Sequence, residues 1–420
     1  MVKIGSHPLI QTLRELKGNP RAAVLTEPLF GIPYNLFYPF MSVFMLAMGL
    51  NVKQIGTITT IGLLVQVLSS YVSGALVDKF GRRWTLFITD LFTWTLPAII
   101  WAVAQNGTYF FVAAALNGFF RIAHTAWTCL MQEDAEERHL VHIWTWVMIF
   151  AVCSAFFTPL GGLIVNRYGL IPAMRGLLWF GAISLALKAS LLFAFSSETE
   201  RGKKRIEETR HRSLFSLLGE YRLVASQILK SKPILAALSL MVITNIYSTI
   251  NNSFWSVLIT GKLGFADAQI SYFAAIRSVI MALCFFVIGP KLTNILHFRL
   301  PLWIGFSAFF ISQLFYVVMP PHSVLLVVLC VLLEAVASAL VNPMTESLLA
   351  VSLESKERAR VSAVVYTALI IIISPFGWIG GQLSAINPVL PFALNMLLFA
   401  LGGVLVWLID RYRRSQLQPR

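Results

Sequence analysis

The fold of this chain is decided by ten residues that lie between two long apolar runs, Gly74-Ala75-Leu76-Val77-Asp78-Lys79-Phe80-Gly81-Arg82-Arg83. Gly74 lets two helices approach closely, and Gly81 lets the backbone turn sharply. Asp78 is a carboxylate at the end of a helix, within reach of several cations. The stretch also carries three basic residues, Lys79, Arg82 and Arg83. Basic residues between apolar runs indicate a loop on the cytoplasmic side of a membrane.

Written as the pattern G-x-L-x-D-[KR]-x-G-R-[KR], this stretch resembles the loop between helices 2 and 3 of the major facilitator superfamily (MFS) of secondary transporters. The resemblance implies an all-α membrane protein with twelve transmembrane helices in two six-helix pseudo-symmetric halves. It also implies a gating role for the loop, which helps to close the inner side of the pathway. The alternative is a basic membrane loop that happens to carry two glycines.

A second, partial resemblance lies in the fifth predicted span. Ser154, Thr158-Pro159 and Gly162 are similar to the antiporter motif G-x-x-x-G-P-x-x-G of the same family, although serine and threonine replace two glycines. Pro159 can still bend the helix, because proline removes a backbone hydrogen bond, and we assign it a gating role. The two replacements leave antiport open.

The composition indicates a membrane protein. Of the 420 residues, 57% are hydrophobic and 12% are charged, so lipid must cover part of the apolar surface. Neither a metal nor a cofactor is expected, since the cysteines lie inside apolar runs without metal-ligand spacing, at Cys129, Cys153, Cys284 and Cys330. The chain has no Walker, H-E-x-x-H or G-x-S-x-G sequence, so we predict neither an ATP-driven pump nor an enzyme.

A membrane-spanning helix needs about 20 mostly apolar residues. By that criterion we predict twelve spans, at about 25–48, 54–77, 84–104, 108–131, 141–165, 174–195, 233–260, 268–290, 299–319, 323–350, 360–383 and 388–409. The spans divide the chain into a cytoplasmic N-terminal segment, a first six-helix half, a cytoplasmic linker, a second six-helix half and a cytoplasmic tail, at 1–21, 22–195, 196–232, 233–410 and 411–420.

Basic residues set the orientation of the spans. With both termini in the cytoplasm, the inner segments carry 26 of the 33 lysines and arginines, and the outer loops hold only Lys53, Arg167, Arg175 and Lys262. This asymmetry predicts a multi-pass protein of the cell membrane. It also explains the net charge of +14 without nucleic acid as a partner. The two halves of one chain form a complete pathway, so we expect a functional monomer.

The cytoplasmic segments are expected to hold short helices. A helix that begins near Pro8 is expected to lie against the membrane. In the linker, we predict an amphipathic helix over 214–228, whereas the charge cluster at 201–212 fits an unstructured segment better. A faint repeat, in which Gly74 matches Gly289, supports two homologous halves.

Polar side chains inside spans are costly, so their positions carry information. They recur at helical spacing in spans 1, 4, 7 and 10, and the resemblance implies that these four helices line a central cavity. The candidate substrate-binding residues, on these spans and on span 8, are Tyr34, Asn35, Tyr38, Arg121, His124, Trp127, Asn251, Asn252, Trp255 and Arg277. For any single polar residue, a hydrogen bond between helices is the alternative.

Two charges lie near the middle of their spans, Arg121 in span 4 and Glu334 in span 10. Their depths differ by about 3 Å at 1.5 Å per residue, so we predict that they face each other across the cavity. Either they form a pair that breaks when substrate or proton arrives, or Arg121 holds an anionic substrate while Glu334 carries the proton. Glu346 is a second candidate for the proton site.

Other charges are expected nearer the cytoplasm. Lys188 is expected to snorkel toward the inner face, and Glu27 and Asp90 are assigned to the inner gate or to solvated helix ends. The acidic stretch 133–138 is positioned to meet the cations of the signature loop and to lock the inner gate. A solvated acidic loop is the alternative for that stretch.

These features predict a proton-coupled secondary transporter of a small molecule that works by alternating access. Aromatic residues such as Tyr34 and Trp255 favour efflux of amphipathic compounds. Arg121, Arg277 and the asparagines of span 7 favour a polar metabolite instead, such as a sugar or an organic anion. A third alternative is a non-transporting sensor or chaperone derived from a transporter, although such a protein has little reason to retain buried charges.

Overall fold

The computed structural model describes residues 8–211, 231–288, 299–351 and 358–417, and every regular element in these ranges is helical. In lipid, a helix satisfies all of its own backbone polar groups, which is why apolar runs take this form. The α-helices are α1 (Pro8–Glu15), α2 (Gly18–Phe37), α3 (Met41–Ala47), α4 (Val52–Phe80), α5 (Arg82–Asp90), α6 (Leu96–Ala102), α7 (Gly107–Asn117), α8 (Phe120–Gln132), α9 (Glu137–Ala155), α10 (Thr158–Tyr168), α11 (Leu170–Phe195), α12 (Glu200–Thr209), α13 (Lys232–Val257), α14 (Gln269–Ile288), α15 (Arg299–Val318), α16 (Val324–Val351), α17 (Arg358–Ile373), α18 (Pro375–Ile386) and α19 (Leu390–Leu417).

Within the described ranges, ten helical stretches are long and apolar enough to cross a membrane. They match ten of the predicted spans. The other two predicted spans, 108–131 and 268–290, are also helical, since α7 and α8 cover the first and α14 covers the second up to residue 288. The multi-pass helical architecture is confirmed, whereas twelve crossings and cytoplasmic termini stay predictions.

Several spans are interrupted at defined residues. The fifth span is interrupted between Ala155 and Thr158, with Pro159 in the first turn of α10, which is where the sequence predicts a bend. The first span contains a 3-10 segment, Tyr38–Phe40, and the eleventh breaks just before Pro375. Such interruptions are places where a helix can bend during a movement.

Contacts between residues divide the chain into two compact units. The first unit comprises Met1–Tyr38 and Ile61–Glu220, and the second comprises Pro39–Thr60 and Tyr221–Arg420. The predicted halves differ from these units in residues 39–60, which pack with the second unit.

This segment packs in the second unit through small residues. A Cβ on Gly56 of α4 would overlap the carbonyl oxygen of Gly377 and would lie 2.8 Å from the Cα of Gly381. The Thr60 hydroxyl also donates a hydrogen bond of 2.9 Å to the Ser374 carbonyl. Close backbone approach of this kind is how membrane helices gain dispersion energy where lipid offers no hydrophobic drive.

Each unit has its own apolar core. In the first unit, Leu130 and Ile143 are fully buried in an apolar cluster. In the second unit, the rings of Phe309 and Phe399 stack with centroids 4.5 Å apart. Aromatic stacking adds to the packing that holds α15 against α19.

The N-terminal helix packs against the first unit. It begins at Pro8, as predicted. Leu13 on its apolar face packs against the core of the first unit, and Thr12 forms a 2.7 Å hydrogen bond with His142 of α9. The Leu13 part of this face therefore packs against protein, and the predicted position of the helix at the membrane stays a prediction.

The linker begins with a helix where an unstructured segment was expected. The charge cluster at 201–212 contributes most of α12, and the Thr199 hydroxyl caps this helix by accepting a hydrogen bond from the N–H of Gly202 at 2.8 Å. The predicted amphipathic helix at 214–228 and the repeat position Gly289 lie outside the described residues.

Candidate functional site

The signature stretch forms the end of α4, a turn at Gly81 and the start of α5. Gly81 has a φ of +84°, in the left-handed region that glycine adopts without strain. A Cβ at this position would lie 2.6 Å from an oxygen of Glu198. Glycine is therefore required both for the turn and for the close approach of a carboxylate.

The Glu198 carboxylate caps the N-terminus of α5. Its two oxygens accept hydrogen bonds from the backbone N–H groups of Arg82 and Arg83, each at 3.0 Å. The first N–H groups of a helix lack partners within the helix and carry partial positive charge, so a carboxylate suits this place. Sequence reasoning missed Glu198, which lies 116 residues from Arg82 in the chain.

Arg82 contacts the acidic side chains around this loop, and it is only 2% exposed. Its guanidinium donates two hydrogen bonds of 3.0 Å to the Glu133 carboxylate and lies 3.2 Å from Asp78. The predicted contact between the acidic stretch and the cations of the loop is therefore confirmed. This bidentate pair fixes the start of α5 to the end of α8.

The linker helix α12 and the residue before it bond two of these acidic residues, Asp78 and Glu133. Arg205 donates to the Asp78 carboxylate at 2.7 Å, and this hydrogen bond raises the pKa of Arg205 above its usual range. The Thr199 hydroxyl donates to Glu133 at 2.6 Å. A threonine before a charged run is an N-cap signal that sequence reasoning could have used to find α12. We call these residues the inner network: Asp78, Arg82, Glu133, Glu198, Thr199 and Arg205.

Replacing Glu198 by alanine is expected to destabilise the protein by about 0.5–2 kcal/mol, because the positive end of α5 loses its carboxylate cap. Glu200→Ala is the matched control, since Glu200 is an exposed residue of α12 that pairs with Lys203. Thermal unfolding of the purified protein in detergent measures both variants. Equal melting temperatures would contradict the capping role of Glu198.

In the second unit, an ion pair with a buried carboxylate joins α14 to α16. Nη2 of Arg277 lies 2.6 Å from Oε2 of Glu334, and the Glu334 side chain is 1% exposed. Gln313 donates to the other oxygen of Glu334 at 3.0 Å and accepts a hydrogen bond from Asn395 at 3.2 Å. Two helices, α14 and α15, thus supply direct partners to Glu334, and α19 supplies a partner to Gln313. Such partners are the condition for holding a carboxylate inside a membrane protein.

The Arg277 guanidinium also contacts two other candidate substrate-binding residues. With its amide oxygen turned toward the arginine, Asn251 accepts from Nη1 and Nη2 at 3.0 and 3.3 Å. The guanidinium lies 5.1 Å from the Trp255 ring centroid, and Nε1 of Trp255 donates to the Tyr316 hydroxyl at 2.9 Å. We call these residues the charged cluster: Asn251, Trp255, Arg277, Gln313 and Glu334.

Arg121, which was predicted to face Glu334, belongs to the first unit. Glu334 is paired instead with Arg277 of its own unit. Depth along a helix does not give the direction in which a side chain points, so the prediction that Arg121 and Glu334 face each other across a cavity stays a prediction. The Arg121 guanidinium lies 5.3 Å from the centroid of the Phe120 ring.

The other candidate substrate-binding residues differ in how much surface they offer. Tyr34 and Tyr38 stack with ring centroids 4.5 Å apart, and Tyr38 is 38% exposed. His124 and Asn252 are also exposed. Trp127 is buried in the core of the first unit, which leaves little of its surface for a ligand.

Three further candidate residues lie outside both the charged cluster and the inner network. The Asn35 amide donates to the Gly31 carbonyl one turn away, at 2.8 Å. Glu346, the second proton-site candidate, is exposed and accepts a hydrogen bond from Tyr366 at 2.6 Å. Gly74 lies within α4, one helical turn before Asp78. Of the two carboxylates considered for the proton, Glu334 is therefore the buried one.

Lys188 does not snorkel to the inner face. It is 6% exposed, and its Nζ lies 3.2 Å from a carboxylate oxygen of Asp90, which is 4% exposed. Asp90 is therefore not at a solvated helix end, and Glu27 lies close enough to interact electrostatically with both. Snorkelling is needed only by a cation without a counter-charge, and Asp90 provides one.

Residues 28–253 match the family model described as Major Facilitator Superfamily. The uncharacterized MFS-type transporter YqjV of Bacillus subtilis (strain 168) is 28% identical over 118 residues, which cover 27% of this chain and 28% of the length of YqjV.

Solved structures of transporters share the fold. The nucleoside transporter NupG has a TM-score of 0.70 and 14% identity, and the match covers 95% of this chain and 99% of NupG. A POT family transporter in complex with 5-aminolevulinic acid has a TM-score of 0.68 and 13% identity, over 96% of this chain and 99% of that chain.

Proposed function

We propose, since the chain belongs to the major facilitator superfamily, that it is a proton-coupled secondary transporter that moves a small molecule by alternating access. The family and the relatives make it a membrane transporter rather than an enzyme. The observation that carries the proposal is the charged cluster, in which a nearly inaccessible carboxylate, Glu334, has Arg277 as its counter-charge.

Glu334 is suited to carry the coupling proton because its protonation changes the charge of the cluster. While Glu334 is ionised, its pair with Arg277 is neutral overall, and the membrane interior tolerates both groups. When Glu334 binds a proton, Arg277 keeps its charge and loses its partner. The arginine must then find another anion or water, so proton binding alters which arrangement of the cluster is stable.

The inner network is suited to open and close the cytoplasmic side. Arg82 joins the start of α5 to the end of α8 through Glu133, and it also holds Asp78 at the end of α4. Buried bidentate contacts of this kind are either formed or broken, because intermediate separations leave a desolvated charge without a partner. We assign the gating step to this network.

Two substrate classes are compatible with these residues. Stacked aromatic residues such as Tyr34 and Tyr38 favour an amphipathic compound. Arg277 and Asn251 favour a polar metabolite or organic anion, but Arg277 is already bonded to both Asn251 and Glu334. An anionic substrate would have to replace Glu334 at the arginine, so the amphipathic compound is the first candidate and the anion the second.

A sensor without transport activity fits the buried charges less well. Two ion pairs in the described structure, Arg277–Glu334 and Lys188–Asp90, lie inside predicted spans. Hydrophobic residues of similar volume would hold such helices together at least as well. Retention of these charges therefore favours a function that moves charge.

The proposal is tested with the full-length protein in proteoliposomes under an imposed pH gradient. We expect at least one class among amphipathic compounds, sugars and organic anions to accumulate, with substrate-dependent proton movement reported by an internal pH-sensitive dye. A protonophore should abolish the accumulation. Accumulation without proton movement would overturn the coupling, and the absence of both for every class would overturn the transport function.

A further inference from the structure

Two buried side-chain amides connect Glu334 to α19. Gln313 of α15 and Asn395 of α19 have no exposed surface. Apart from Trp407, Asn395 is the only polar side chain between residues 388 and 409. A polar group in the middle of a predicted span is costly, and it commonly marks a functional position. We call Gln313 and Asn395 the amide pair.

The hydrogen bonds of the amide pair run in one direction, toward the carboxylate. The Asn395 amide nitrogen donates to the amide oxygen of Gln313 at 3.2 Å, and the Gln313 nitrogen donates to Oε1 of Glu334 at 3.0 Å. This order suits an ionised carboxylate, which can only accept hydrogen bonds. At the far end, the amide oxygen of Asn395 is buried and accepts no hydrogen bond from any described residue.

A proton on Glu334 reverses what Gln313 must provide. Oε2 of Glu334 lies 2.6 Å from Arg277, and a guanidinium has no acceptor, so the added proton goes to Oε1. The new O–H group would then face the N–H of Gln313, and two donors cannot bond each other. A half-turn of the Gln313 amide brings its oxygen to this O–H group. Its nitrogen then faces Asn395, which must turn as well and present the oxygen that now has no partner.

The other groups around Glu334 adapt without passing the change to another helix. Tyr247 of α13 and Ser312 of α15 lie beside the carboxylate, and a hydroxyl can donate or accept by rotating in place. Tyr316 and Cys330 also lie close enough to interact with it electrostatically. An amide, in contrast, holds its donor and its acceptor on opposite sides, so turning it changes what it offers to the next residue.

We propose that Gln313 and Asn395 are positioning residues that set the pH at which Glu334 takes up a proton, and that both amides turn over when it does. This assignment rests on the proposed role of Glu334 as carrier of the coupling proton. Gln313 gives the ionised carboxylate a charge-assisted hydrogen bond and the protonated form a weaker, neutral one. Asn395 satisfies Gln313 in both arrangements and thereby carries the state of Glu334 to α19.

The test is infrared difference spectroscopy of the purified full-length protein in lipid, recorded between high and low pH without substrate. A carboxylic-acid band that is present in the wild type and absent from Glu334→Gln reports the titration of Glu334. In Gln313→Met the midpoint of this titration should move upward by about one pH unit, because the ionised form loses the stronger hydrogen bond. Gln66→Met, at a glutamine of α4 that is 9% exposed and belongs to the first unit, is the matched control and should leave the midpoint unchanged.

A measurement on the wild type covers the case in which Gln313→Met does not fold. Protein that carries a heavy carbon isotope in the side-chain carbonyl of glutamine should show a pH-dependent glutamine band. The reason is that the Gln313 oxygen exchanges the N–H of Asn395 for the O–H of Glu334. This change should be missing from Glu334→Gln. Asn395→Leu removes a partner of Gln313 from both arrangements, so it should move the midpoint less than Gln313→Met does.

Each outcome decides the matter. An unchanged midpoint in Gln313→Met, or a wild-type difference spectrum without the glutamine band, would overturn the role of the amide pair. A larger shift in Asn395→Leu than in Gln313→Met would overturn the order of the two amides. The titration is measured without transport, which separates this role from the proposed function. If Glu334→Gln still accumulates substrate as the wild type does, the coupling role fails while the midpoint shift in Gln313→Met stands.

Discussion

Replacing Glu334 by glutamine is expected to abolish gradient-driven accumulation of substrate. One proton that moves down a gradient of about two pH units releases about 2.7 kcal/mol, which supports a concentration ratio of about 100. Glutamine has the size of glutamate and can still accept hydrogen bonds from Arg277 and Gln313, but it cannot bind a proton. The ratio measured in proteoliposomes should therefore fall from as much as about 100 to about 1.

The same variant should keep exchange of substrate down its own concentration gradient. That movement needs the binding site and the conformational change but no proton. Asp267→Asn, which changes a carboxylate in a loop outside the charged cluster, is the control and should accumulate substrate normally. Unchanged accumulation in Glu334→Gln would remove Glu334 from the coupling role.

Replacing Arg277 by methionine is expected to destabilise the protein by about 3–5 kcal/mol at neutral pH, because Glu334 is left as a buried charge without a counter-charge. The carboxylate can escape this penalty by binding a proton. The loss should therefore be larger at pH 8 than at pH 5, which a series of thermal or denaturant unfolding measurements at several pH values would show.

Two further variants make this result specific to the buried pair. Adding Glu334→Gln to Arg277→Met removes the unpaired charge and should restore most of the lost stability. Arg299→Met breaks the pair of Arg299 with Asp410, in which the arginine side chain is 44% exposed, and should cost about 1 kcal/mol or less. Equal losses in Arg277→Met and Arg299→Met would contradict the importance of burial.

The sequence predicted a feature correctly where the residues that determine it are neighbours in the chain, or where a motif specifies many positions within a short stretch. The stretch around Asp78 and Gly81 predicted the family, which the family model confirms. Pro159 predicted the interruption of the fifth span, because the loss of a backbone N–H acts within one turn. The contact of Arg82 with the acidic stretch was predicted from opposite charges at two loop ends on the same side of the membrane.

Partners that are distant in sequence could not be assigned in this way. Glu198 caps α5 and Arg205 binds Asp78, yet both come from the linker, where a run of charges looked unstructured. Likewise, nothing in the sequence around Lys188 indicated that its partner is Asp90, which lies 98 residues away. A charge that looks isolated in sequence can be paired by any helix that packs beside it, and spacing along the chain does not specify which one.

The sequence by itself determined that this is a helical membrane transporter, because apolar length, the placement of basic residues and the signature loop are properties that adjacent residues set. Only the tertiary structure decided which charges meet. Glu334 bonds Arg277 of another helix, and Lys188 bonds Asp90 of another helix. The reason is physical: the rotation of each helix about its own axis selects the neighbours of a side chain, and packing against the other helices sets that rotation.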